Sequence, residues 1–235
     1  MWTEPEQMFF ATASKHKAQG NLLGALHIID FLLLGIKSDP VKYAYVLGCR
    51  KAVVLHHLDQ AAEAKTAFKE AERLAKASGA LAIAAYIVAD LASFEVGDEA
   101  LIRINEALQL CEQAKAEGTP DLERTLEADT AYFTACKARL LHRSGSEVAK
   151  PLMARSRRRL KRYAHGRYPR YQDAYLDVLR WEFAMYQGQD SHKARLMRLW
   201  LAGAIVTEVL RQDKGDSSLR FVRERVRHIL SQGNR

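Results

Sequence analysis

Tyr45 to Gly118 is the stretch that decides the fold. Within it Leu58-Asp59 stands at a turn, followed by Ala64-x3-Phe68-x2-Ala71, then Gly97-Asp98 and Ala100-x3-Ile104-x2-Ala107-Leu108. Apolar residues spaced three and four apart lie on one side of an α-helix. The order is a turn residue, a small residue, then a larger apolar one four positions on. It can be followed outward in both directions. Upstream, Gly20 precedes Ala25, Ile29 and Leu32; downstream, Gly145 precedes Ala149 and Met153, and Gly188 precedes Ala194 and Leu201, where the pattern decays. The small residues recur at 25→64→100→149→194, intervals of 39, 36, 49 and 45. Spacings of this size are the mark of a helical array. The small residue lets the two helices of a hairpin approach closely, and the larger one fills the groove toward the next hairpin. One hairpin cannot bury its own stripe, so hairpins stack and share a core.

The rest of the chain agrees with an all-α reading. Leu22, Leu23, Leu26, Ile29, Leu32 and Leu33 form one stripe, and Asp39-Pro40 opens the next helix with a capping residue and a proline at its first turn. Helices are expected over 61–75, 81–94, 100–114 and 122–141, with two further pairs broken near His165-Gly166 and Gly188-Gln189-Asp190. A last helix from Ser217 to Leu230 would cover the open end. Hydrophobic residues make up 48% of the 235, which argues against disorder; 5 prolines and 13 glycines suit long helices with short connections.

The stretch from Tyr45 to Gly118 resembles the tetratricopeptide-repeat superfamily, in the longer-hairpin form found in bacterial sensor and regulatory proteins. Pro40 and Pro120 stand roughly where that family places a proline. The resemblance implies a right-handed helical-hairpin solenoid of about five helix pairs plus a C-terminal capping helix. It also implies a concave groove built from first helices, here with Cys49, Val53 and Thr134. It implies binding of peptides or protein segments, as an adaptor or regulatory subunit, and no chemistry. Residues 1–145 carry the repeats. Residues 146–235 match poorly and read as basic, diverged repeats with the cap, continuous with the first part.

Charge divides the chain in the same place. Residues 1–145 hold 16 Lys+Arg and 19 Asp+Glu, a net of −3; residues 146–235 hold 20 and 9, a net of +11. The strongest local feature is Arg155, Arg157, Arg158, Arg159, Lys161, Arg162, Arg167 and Arg170, interleaved with Tyr168 and Tyr171. On a helix, Val148, Leu152, Ser156, Leu160 and Tyr163 would face inward while Arg157 and Lys161 point out. Three readings stand side by side. One is a solvated face, and the second is contact with acidic protein, including the acidic half of a neighbouring copy. The third is a nucleic acid, with arginines on phosphates and tyrosines stacked on bases. Arginine outnumbers lysine seven to one between 155 and 170, which favours specific ion pairing over solubility. Of the aromatic residues between Tyr171 and Tyr186, including Tyr175, Trp181 and Phe183, the core is expected to take most.

Sequence motifs for chemistry are missing. There is no HExxH, CxxC, GxSxG or glycine-rich phosphate loop. His56 and His57 are adjacent and so diverge by about 100° on a helix, a poor start for a shared metal. Cys49, Cys111 and Cys136 sit in apolar surroundings and read as reduced core thiols. The expectation is a non-catalytic cytoplasmic protein without cofactor, metal site or membrane span. Its partner would be a protein or peptide, or nucleic acid through residues 155–170, and copies of the chain could associate.

Overall fold

The computed structural model describes residues 2–118, 120–164, 170–212, 224 and 226–227. The chain forms two compact units, Met1–Leu126 and Glu127–Arg235. This division by packing falls inside the eighth helix, whereas the division by charge at 145/146 is one of composition. Among the described residues there is no β-strand, and within each unit helices pack largely on their neighbours in the chain.

The first unit holds α1 (Glu4–Ala18), α2 (Leu22–Gly35), α3 (Pro40–Val46), α4 (Val53–His57), α5 (Ala61–Ala77), α6 (Leu81–Leu91) and α7 (Gly97–Ala116). A π-helical turn, Leu47–Ala52, joins α3 to α4. Helix α1 was not foreseen. Its start is coded by Thr3-x-x-Glu6, where the Thr3 amide donates to Glu6 at 2.6 Å and Pro5 stands in the first turn. That amide and the nearby Lys42 ammonium hold the Glu6 carboxyl below its ordinary pKa. Asn21 and Asp39 cap α2 and α3 by accepting from the amides of Gly24 and Lys42.

Each turn between paired helices carries a residue in the left-handed region. At four of them it is Gly20, Gly97, Gly145 or Gly188, and Gly79 does the same between α5 and α6; at the fifth paired turn Asp59 takes φ 59°, which a short polar side chain tolerates better than a branched one. The anchor alanines are where the repeat needs them: Ala25, Ala64, Ala100 and Ala149 are fully buried and Ala194 is 2% exposed. Ile29, Phe68, Ile104 and Met153, four positions on, are buried too; after Ala194 that place is taken by the half-buried Arg198. Gly48 in the π-helical turn shows how close the approach is. A methyl there would lie 2.7 Å from Ile87 of α6 and 3.0 Å from Ala71 of α5.

The second unit contains the later part of α8 (Pro120–Arg143), then α9 (Ala149–Ala164), α10 (Arg170–Met185) and α11 (His192–Gln212). Its core joins Ala128, Ala131, Ala135 and Ala138 of α8 to Met153 and Leu160 of α9, Tyr171, Tyr175, Leu179 and Trp181 of α10, and Leu201, Ile205 and Val209 of α11. The aromatic stretch therefore fills the core at Tyr171, Tyr175 and Trp181, while Phe183 and Tyr186 are half-buried. Most of the expected helix over 217–230 lies outside the described residues; Glu224, Val226 and Arg227 are helical, and Val226 packs on this core.

Candidate functional site

Two surfaces carry unusual chemistry, one in each unit. In Met1–Leu126 an open cleft is lined by Phe9, Phe10, Ala13, Ile28, Ile29, Leu32 and Val54, with Ser14, Lys17, Cys49 and Arg50 at its polar edge. Arg50 is the distinctive member. It and Cys49 belong to the π-helical turn, whose wider winding rotates the side chains that follow relative to a regular helix. Its guanidinium carbon sits 5.5 Å from the Phe10 ring centre and 5.6 Å from that of Tyr45, and Nη2 donates to the Tyr45 hydroxyl at 3.1 Å. Trp2 closes the aromatic group, 4.6 Å from Phe10 edge-to-face and 5.8 Å from Tyr45.

A cation held on aromatic faces is attracted by the ring quadrupoles but keeps its donors. Among the described residues no carboxylate pairs with Arg50, and its buried Nε has no hydrogen-bond partner. Its neighbour Lys42, also over Trp2 at 5.2 Å, is by contrast neutralised by Glu6 at 3.0 Å. The cleft thus offers an apolar floor beside an arginine with donors to spare. Lys17 at the edge also acts on its surroundings. Burial pushes the Asp90 carboxyl up to about 7, and the Lys17 charge works against that rise. Burial, Lys17 and His56 together hold the His57 imidazole below its usual value.

Of the groove residues expected from the sequence, Cys49 lines this cleft. Val53 is half-buried one turn on and does not line it. Thr134 belongs to α8 in the second unit and donates its hydroxyl to the Thr130 carbonyl at 2.6 Å. Phe9, Phe10 and Arg50 were missed. The capping sequence Thr3-x-x-Glu6 ahead of Phe9, Phe10 and Ala13 was the available signal for α1, and finding that helix would have brought both phenylalanines into view.

In Glu127–Arg235 the basic run forms α9. The inward set is Ala149, Met153, Ser156, Leu160 and Ala164, so the expected stripe is corrected: Val148 is 58% exposed, and Leu152 and Tyr163 are only half-buried. Arg157 is corrected as well. It does not point outward; its Nε donates to Glu182 at 2.5 Å, with the two side chains 11% and 1% exposed, and its guanidinium lies 4.4 Å over Trp200. Burial raises the Glu182 carboxyl, and Arg157 opposes that rise. Tyr171 is the third correction. It is 2% exposed and donates to Asp129 at 3.0 Å, so its ring is unable to stack on a ligand. Tyr163 donates to Glu127.

The cations left outside are Arg155, Arg158, Arg159, Lys161 and Arg162, all exposed. Arg167 and Tyr168 lie outside the described residues, as does the side chain of Arg170.

Among the described residues no group of three or more His, Cys, Asp or Glu is arranged to hold a metal ion. No helix among them is long and apolar enough to cross a membrane. Cys111 is buried and Cys49 and Cys136 are half-buried, with no disulfide joining them. The described residues form an all-α array of helices packed largely in chain order, an arrangement consistent with helical hairpins. Compared with family models and with curated proteins, the sequence matches none.

Proposed function

We propose that this chain is a non-catalytic recognition protein, a tetratricopeptide-like adaptor or regulatory subunit, and that residues 1–126 seat a protein segment in the cleft beside Arg50. The observation that carries this reading is Arg50 itself: an arginine set among aromatic rings, without a carboxylate, at the edge of an apolar floor. A segment with an apolar side chain next to a carboxylate satisfies both halves. The side chain covers Phe9, Phe10, Ile28 and Val54, and the carboxylate takes the open donors. The carboxyls whose pKa burial raises, Asp90, Asp177 and Glu182, do not line the cleft, which supports recognition without bond-breaking.

The test is a fluorescence titration of the full chain with short labelled peptides that pair Phe or Leu with Asp or Glu, against amide-substituted controls. Acidic peptides are expected to bind, and Arg50→Gln to weaken them by about tenfold or more, as loss of a charge-assisted hydrogen bond requires. Equal affinity of the acidic and amide peptides, or of Arg50→Gln and the unaltered protein, removes this reading.

A further inference from the structure

A different observation, in the other unit, concerns a different ligand. Arg155, Arg158, Arg159 and Arg162 stand at i, i+3, i+4 and i+7 on α9, which brings them onto one side of the helix in a row about 10 Å long. The buried set Ala149, Met153, Ser156, Leu160 and Ala164 occupies the opposite side. Like charges four apart, as in the pairs 155/159 and 158/162, oppose helix formation. Elsewhere the chain relieves such repulsion by interleaving acids: Lys76 and Arg103 share Glu72 and Glu106, Arg180 meets Asp177, and Arg211 meets Glu208. Helix α9 has no acidic residue at all, and among the described residues none of the four arginines forms an ion pair, the Arg158 charge acting on Glu182 only from a distance.

The surroundings separate the kinds of polyanion. Between Arg155 and Arg162 the only large apolar side chain is Leu160, which is fully buried. A protein partner draws most of its binding energy from apolar and aromatic anchors set in pockets, and the row itself carries none; the half-exposed Trp200 of α11 lies under Arg157, which is not one of the four. A phosphate backbone needs no such anchor: arginine forks bind it through charge and paired hydrogen bonds. A single strand is gripped largely through stacked rings, and the row itself, Arg155 to Arg162, carries no aromatic residue, while Tyr171 beyond it is buried. That turns the choice from a single strand to a duplex. We propose that the outward row Arg155, Arg158, Arg159 and Arg162 binds the phosphate backbone of a double-stranded nucleic acid, without reading its sequence.

The test titrates the full chain by fluorescence anisotropy with labelled duplexes of about 20 base pairs, one of DNA and one of RNA, and with polyglutamate, between about 50 and 200 mM salt. A duplex is expected to bind, with affinity falling about a hundredfold over that range, as about four neutralised phosphates require. The tighter of the two duplexes identifies the nucleic acid. Changing all four arginines to glutamine should abolish most of the affinity and flatten the salt dependence. Changing all four to lysine should keep the salt dependence, which guards against a folding defect in the glutamine variant. No duplex binding, equal binding by the glutamine variant, loss of the salt dependence in the lysine variant, or tighter binding of polyglutamate overturns the proposal.

Discussion

In Met1–Leu126 the charges that meet do so at the surface, as in the network of Glu72 and Lys76 on α5 with Arg103 and Glu106 on α7, or the Lys65–Glu95 pair at 2.9 Å. In Glu127–Arg235 one pair, Arg157–Glu182, meets inside, while Arg195–Asp190 stays at the surface. Among the described residues the polar and charged side chains most fully shut off from solvent, Asp129, Ser156, Glu182 and Glu208, all lie in this second unit, whereas Asp90 of the first is half-buried. The difference concerns how each unit is specified. Surface pairs add little, about 0–1 kcal/mol each, so the first unit depends on close packing of alanines and branched aliphatics. Buried pairs add little net stability, because desolvation offsets their attraction, but losing one partner is severe.

That asymmetry gives the largest expected effect. Arg157→Ala leaves the Glu182 carboxyl, 1% exposed, without its ion-pair partner, and should cost about 3–5 kcal/mol in urea unfolding of the full chain. Replacing both together, Arg157→Met with Glu182→Leu, should be near neutral or stabilising. If the single change costs no more than a surface pair does, the contrast between the units fails.

The same contrast explains what could be read in advance. The anchor alanines at 25, 64, 100, 149 and 194 were legible because a closely packed hairpin core tolerates little else at those positions, and all five are buried. The pattern decays after Ala194 because Arg198 takes the place of the large apolar residue and donates to the Tyr186 and Gln189 carbonyls. The stripe of α9 was misread by a single position, since Val148 looks like a better core residue than Ala149. Only the anchor spacing favours the alanine. Arg157 was misassigned because its partner Glu182 is 25 residues away, and no periodicity on one helix reveals a contact with another. The cleft escaped for the same reason, being assembled from α1, α2, the π-helical turn and α4.

Close packing in the first unit gives an effect of intermediate size. Gly48→Ala would place a methyl 2.7 Å from Cγ1 and Cδ1 of Ile87, closer than carbon atoms tolerate. Overpacking of this kind costs about 1–3 kcal/mol. Chemical denaturation should show that loss, and Ile87→Val in the same chain should restore part of it by removing Cδ1. An unchanged midpoint for Gly48→Ala would mean that α5 and α6 can move away from the π-helical turn, and that the first unit is looser than its buried alanines imply.

The smallest effect concerns Asp90, the carboxyl of the first unit that burial raises among the described residues. Burial raises Asp90 from 3.8 to about 7, with Lys17 opposing. In the unfolded chain the same carboxyl ionises at its ordinary value. Between about pH 4 and 7 the folded protein therefore holds a proton that the unfolded one has released, so stability falls as pH rises through that window and levels off above it. His57 acts in the opposite sense. Its pKa is lowered in the folded state, so its contribution is regained as pH rises toward its ordinary 6.5. Glu182, raised by burial in the other unit, adds to the fall. The informative quantity is therefore the difference between Asp90→Asn and the unaltered chain, in which the other groups cancel. Asparagine keeps the shape and removes the ionisation. The variant should gain on the parent steadily from about pH 5 to 7 and hold that gain at pH 8, by less than the two effects above because water partly reaches the Asp90 side chain. A difference that is flat across this range would mean that Lys17 already neutralises Asp90 at acidic pH, and the first unit would then contain a buried ion pair of the kind otherwise confined to the second.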